Sequence, residues 1–318
     1  MDESHTNNHS PGKPDFEQSL VNRIAVEAIV EQRRARRWGI FFKFLFAGYL
    51  LLFLLIYLPP GWDGSAIVGN KHTALVDIEG VIAADMEANA DYIVSGLRAA
   101  YEDANTAGII LRINSPGGSP VQAGYVNDEI MRLRGLYPDV PLYAVITDIC
   151  ASGGYYIAVA ADKIYANKAS VVGSIGVIMS GFGFVDAIEK LGIERRLMHA
   201  GESKGFLDPF SPLKSKDVEH VEQVLDKVYQ QFINIVKEGR GDRLQDKEEL
   251  FSGLIWTGEQ SLELGLVDGL GSAGYVAREI IGEEEIVDFT RRATYLDRFA
   301  KQLGTTVARM LSSKFEFH

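Results

Sequence analysis

Cysteine is almost absent: Cys150 is the single one among 318 residues. No intramolecular disulfide can brace the chain, so the fold must stand on its hydrophobic core. Basic residues are outnumbered, 32 against 43 acids, for a net charge of -11. The positive footprint that holds nucleic acid is missing, and no nucleic-acid partner is expected. No P-loop, no H-E-x-x-H and no Cys/His metal spacing occurs, so no metal and no cofactor is expected. There is no internal repeat. Histidine is scarce, with six residues. What remains is ordinary globular composition, 47 % hydrophobic and 24 % charged, enough for one large domain or two small ones.

One long hydrophobic run stands out. Residues 39–58 read GIFFKFLFAGYLLLFLLIYL, twenty residues with a single charge, Lys43. As a helix it would span about 30 Å, the thickness of a bilayer core. Trp38 and Tyr57 stand at its edges, where amphipathic rings prefer to lie, and Pro59 and Pro60 end it. A cleavable signal peptide would be shorter and end in a small-residue cut site; neither feature is present. Arg33, Arg34, Arg36 and Arg37 precede the run, while only Asp63 and Lys71 follow closely. The positive-inside rule then places 1–38 in the cytoplasm as a polar tail, 39–58 as a single-pass transmembrane helix, and everything later outside the bacterial plasma membrane.

Beyond a linker at 59–72, strands and helices alternate, which predicts a layered α/β domain over 73–285. ALVDIEGVI, GIILRI at 108–113 and LYAVIT at 142–147 read as strands, with KIYANK, SVVGSIGVIM and RRLMHA as shorter candidates. Helices are expected over 91–105, 121–136, 152–161, 257–266 and 273–281. Val218, Val221, Leu225, Val228, Phe232 and Ile235 make the apolar stripe of a long helix that packs on the core or on a neighbouring subunit. Residues 286–318 turn basic, with six Lys/Arg against three acids and a weak apolar stripe at Leu296, Phe299, Leu303, Val307 and Met310. That tail is expected to be disordered, to lie on the membrane or another subunit, or to be trimmed by the enzyme itself.

Two turns carry chemistry. Asn114-Ser115-Pro116-Gly117-Gly118-Ser119 follows the apolar strand directly. Its glycines can present backbone amides to a developing negative charge, or it is a plain strand-to-helix turn. Cys150-Ala151-Ser152-Gly153-Gly154-Tyr155-Tyr156 follows the next strand. A serine there is an exposed nucleophile, an N-cap, or both. It is not the hydrolase elbow G-x-S-x-G, because Cys150 takes the first glycine's place. Of the histidines only His199 is a serious candidate base; His5, His9 and His318 are terminal, His72 is in the linker and His220 faces solvent on the long helix. Lysine is the other known partner of serine and must be neutral to accept a proton, which demands an apolar setting. Lys204 lies beside Gly205, Phe206, Leu207, Pro209 and Phe210. Ser211-Pro212-Leu213-Lys214 fits S-x-x-K, yet the S-D-N and K-T-G partners of that enzyme class do not occur.

Together these motifs resemble the signal peptide peptidase A family, bacterial Ser–Lys membrane proteases on the ClpP/crotonase fold, in its short one-domain form. Asn-Ser-Pro-Gly-Gly-Ser, Ala-Ser-Gly-Gly-Tyr-Tyr and Gly-Ser-Ile-Gly-Val are similar to its three signatures, in its order, and the likeness covers about Thr73 to Ile281. The resemblance implies a repeated ββα spiral, Ser152 as nucleophile, and a lysine general base 52 residues later, Lys204. It implies that Ser174 holds that lysine, and that the Gly153 amide with one from Gly117 or Gly118 forms the oxyanion hole. It further implies a ring of about eight subunits and, as substrates, signal peptides left in the membrane. Glu202-Ser203 before the lysine departs from the family's more usual wording. A related protease cutting other membrane or exported proteins, a crotonase-type acyl-thioester enzyme and a non-catalytic scaffold are the competing readings.

Overall fold

A computed structural model of the chain describes residues 14–57 and 70–292. Residues 1–68 and 69–318 form separate units. In the first, α1 is a single helix over Pro14–Tyr57. Its side chains from Arg36 through Phe53 are exposed, among them Phe44 and Phe46. Among the described residues no helix is long and apolar enough to cross a membrane. The transmembrane helix expected over 39–58 is therefore not found there; the side chains of 54–58 lie outside the described residues.

The second unit is an α/β fold on an eight-stranded, mostly parallel sheet. The strands are β1 (His72–Glu79), β2 (Thr106–Ser115), β3 (Leu142–Ala151), β4 (Lys163–Ala166), β5 (Val171–Gly173), β6 (Ile255–Thr257), β7 (Gly269–Leu270) and β8 (Ile286–Asp288). Along the sheet they run β6-β5-β3-β2-β1-β8; only the β5–β6 pair is antiparallel. The far side of β3 is shared. Its first half pairs with β4 and its last residues with β5, so the sheet divides just before the serine turn.

Residue pattern explains the elements. β2 is apolar because both faces are covered: Ile109, Leu111 and Ile113 join one buried cluster and Ile110 another. Its one arginine, Arg112, lies in register with Asp77 of β1 and donates two hydrogen bonds of 2.7 Å to that carboxylate. The main cluster is closed by α2 (Ala90–Glu102), α3 (Pro120–Leu136) and α4 (Gly153–Ala158). α2 starts where the Asn89 side chain accepts the Tyr92 amide, and α3 where Ser119 accepts the Gln122 amide with Pro120 in the first turn. Glu129 of α3 accepts from Arg132 and from Arg98 of α2, which holds its carboxyl down to about 2 and ties the two helices together.

The long helix α6 covers Ser215–Arg240; of the expected stripe only Phe232 is buried, and its neighbours Ile233 and Val236, outside the stripe, are buried with it. Strands β6 and β8 have no counterpart in the sequence reading. They are three residues each, and short edge strands form only where a neighbour offers unpaired backbone. β8 lies beside β1, so the sheet continues past residue 285. His72, expected in the linker, opens β1 and stacks on Phe289.

Residues 174–214 form no strand; their one helix is α5 (Val185–Lys190). The strand expected at RRLMHA is absent because no sheet edge meets it, and an unpaired strand leaves its backbone groups unsatisfied. This arm holds itself by Arg195 and Ser211 on Asp208, whose carboxyl those hydrogen bonds keep below its ordinary range. Ile178, Phe182, Leu191 and Met198 on it are at least 73 % exposed.

Candidate active site

Strand register builds the site. Ala151 at the end of β3 pairs with Gly173 at the end of β5, so Ser152 and Ser174 leave adjacent parallel strands side by side. Both have positive φ, 51° and 52°, which non-glycine residues adopt only at a cost of about 1–2 kcal/mol. The Ser152 amide donates to the Gly173 carbonyl at 2.9 Å, and the Ser174 amide to Leu254 at 2.7 Å. Ser152 occupies the N-cap position of α4, yet its side chain makes no capping hydrogen bond, which leaves Oγ uncommitted. α4 has six residues rather than the ten expected, so the helix dipole behind Ser152 is shorter.

Gly117 and Gly118 lie against this turn. A Cβ on Gly117 would come within 2.7 Å of the Gly153 nitrogen and of the Ser152 side chain. The Gly117 amide is occupied, donating to Ser115 Oγ at 3.1 Å. Ile82 pairs with the loop through the Gly117 carbonyl and the Ser119 amide, which leaves the Gly118 amide without a partner among the described residues. It sits 3.3 Å from where a Gly153 Cβ would be. The Gly153 amide, first in its helix, has no intrahelical acceptor either. Two free amides thus flank Ser152, and of the two loop glycines it is Gly118 that offers one.

Ser152, Gly153, Gly118 and Ser174 line one cleft of about 650 Å³. Its walls come from Val121 and Tyr125 of α3, Tyr156 of α4, and Val228 and Phe232 of α6. Two of these, Val228 and Phe232, were legible only as an apolar stripe; nothing local marks a stripe residue as a cleft wall. Burial raises the Tyr156 phenol above its ordinary value, and the Asp128 and Glu238 carboxylates add to that. Cys150, buried behind the turn, has its thiol pushed up by burial alone and is no competing nucleophile.

The candidate bases are elsewhere. Lys204 is exposed on the arm, its amide donating to the Gly201 carbonyl at 3.1 Å, and it does not line the cleft. Phe206 and Phe210, expected to desolvate it, are themselves 44 % and 37 % exposed. His199 is exposed on the same arm beside Gly201 and does not line the cleft either.

The class defined by this fold and turn is a mostly parallel α/β protein with a half-buried serine, lining a cleft, flanked by free amides. The model of peptidase family S49 matches residues 137–286. The chain is 32 % identical to "Putative protease slr0021" of Synechocystis sp., over 64 % of this chain and 71 % of that protein. It is 31 % identical to "Putative signal peptide peptidase SppA" of Enterococcus faecium, over 70 % of this chain and 66 % of that protein. It is also 41 % identical to "Na(+)/H(+) antiporter NhaA" of Brucella abortus, over 59 % of this chain and only 25 % of that protein. The chain belongs to peptidase family S49, the signal peptide peptidase A family. It spans a quarter of the Brucella protein and about two thirds of the Enterococcus one.

Proposed function

We propose that the chain is a membrane-anchored serine endopeptidase that degrades remnant signal peptides on a ClpP/crotonase-like spiral. The observation that carries the reading is the strained Ser152, its Oγ uncommitted, between the unpartnered Gly118 and Gly153 amides. Ser152 Oγ attacks the peptide carbonyl and gives its proton to the neutral amine of Lys204. The two amides donate to the resulting oxyanion, as preorganised donors do in acyl transfer. Collapse expels the peptide amine, which takes the proton back from Lys204, and leaves an acyl ester on Ser152. Water, deprotonated by Lys204, then hydrolyses the ester. Ser174 orients the lysine.

Support for assembly comes from the arm. It carries Lys204 and exposes large apolar side chains that a lone copy leaves in water, including Ile178 and Met198. Association of several copies, about eight, would cover that surface and bring the arm of one copy to the cleft of the next. There Lys204 would meet the dry surroundings that a lysine base requires.

A synthetic signal peptide incubated with the full chain in detergent should yield fragments by mass spectrometry, and the Ser152→Ala form should yield none. Fragments in both would remove Ser152 from the chemistry. The anchor rests on the run at 39–58 and the four arginines before it. With the peptidase domain outside the plasma membrane, protease added to spheroplasts should digest residues beyond 60. Digestion confined to the first 38 residues would reverse the orientation.

A further inference from the structure

The cleft does not end in apolar residues. α3 begins two residues after Gly118, and its face toward the cleft is Val121, Gly124, Tyr125 and Asp128, stepping by 3, 1 and 3. Asp128 lies seven residues beyond Val121, about 10 Å further along the helix from Ser152. Between them on that face stand Gly124 and the ring of Tyr125, and Tyr156, Val228 and Phe232 line the same cleft, with Gln231 as its one neutral amide side chain. A path that is apolar near the nucleophile and anionic at its far end fits a long side chain with an apolar stem and a cationic head.

Asp128 makes no side-chain hydrogen bond or ion pair among the described residues. The nearby cations are already engaged. A second cavity of about 410 Å³ adjoins Asp128 and is also lined by Arg134, Arg243 and Glu238. Arg134 is paired with Asp162, and Arg243 with Asp268. Glu238 adds a further negative charge near Tyr156. A carboxylate on the wall of an active-site cleft with no cation of its own is a receptor for one brought by a ligand.

We propose that Asp128 is a specificity-determining residue that favours lysine or arginine immediately before the bond that is cut. The proposal rests on the peptidase reading of the Ser152 cleft. It changes the expected substrate from a purely apolar peptide to one whose apolar stretch is flanked by basic residues.

The test uses the full chain in detergent and peptides that differ only before the scissile bond: norleucine, lysine, arginine or glutamate. Because Asp128 is solvent-accessible, the gain is modest, and kcat/KM for lysine or arginine should exceed that for norleucine about fivefold. Asp128→Asn should bring that ratio to about one, and Asp128→Lys should favour the glutamate peptide. Equal rates for lysine and norleucine in the parent chain, or a basic preference that survives Asp128→Asn, would overturn the proposal. Binding of the same labelled peptides to Ser152→Ala, with and without Asp128→Asn, gives the ranking without hydrolysis. If the parent cuts none of the peptides, the peptidase reading fails, while the binding ranking still decides for or against Asp128.

Discussion

Lys204→Ala should slow peptide turnover by about 100- to 10,000-fold, the usual cost of removing a general base, whereas His199→Ala should retain most activity. The contrast is sharp because both residues lie on the same exposed arm and neither lines the Ser152 cleft of its own chain. A chain that tolerates Lys204→Ala and fails with His199→Ala returns the site to serine–histidine chemistry. Mixing two inactive forms adds a test of assembly. If one copy supplies the lysine to the next, Ser152→Ala and Lys204→Ala subunits mixed during assembly should together recover activity. Random mixing pairs an intact serine with an intact lysine at roughly a quarter of sites. No recovery, with oligomers formed, would place both groups in one chain.

Arg240→Met should cost the fold about 3–5 kcal/mol, the price of stripping a buried charge pair of one member. Arg240 is 1 % exposed, the largest fully buried side chain among the described residues. It donates two hydrogen bonds to the Asp268 carboxylate, at 2.7 and 3.0 Å, and a third to the Gly265 carbonyl at 2.9 Å. Asp268 in turn accepts the Ile164 amide of β4 at 2.7 Å, so the pair joins the end of α6 to the sheet. Burial raises the Asp268 carboxyl, but hydrogen bonding and charge from Arg240, with the Ile164 amide and Arg243, outweigh it and hold the carboxyl below its ordinary value. A depressed carboxyl contributes stability at neutral pH that is lost as pH falls through and below the usual carboxylate range. The thermal midpoint of the full chain should therefore drop for Arg240→Met at pH 7, with the gap to the parent narrowing in acid. Adding Asp268→Asn should recover part of the loss, because the half-buried carboxylate that Arg240→Met leaves with Arg243 as its one cation is then gone. A midpoint unchanged at pH 7 would show the pair to be dispensable.

Local signals make much of this protein legible in its sequence. The apolar run at 108–113 marked the strand β2, and the helical pattern over 121–136 marked α3. Ser152 was recognisable because small residues flank it between an apolar strand and a helix, a pattern contained in seven consecutive positions. What tertiary structure alone decided depends on residues far apart in the chain. Ser174 reaches Ser152 only because Ala151 and Gly173 share a register in neighbouring strands. That the Gly117 amide is occupied and the Gly118 amide is left free depends on the hydrogen bond to Ser115 Oγ. The RRLMHA segment has strand-like residues, but pairing needs a free edge, and the sheet offers it none. Asp128 reads in sequence as one more solvent-facing helix residue. Its place on the wall of the Ser152 cleft is set by how α3 and α6 each lie against α4, an arrangement that no local pattern encodes.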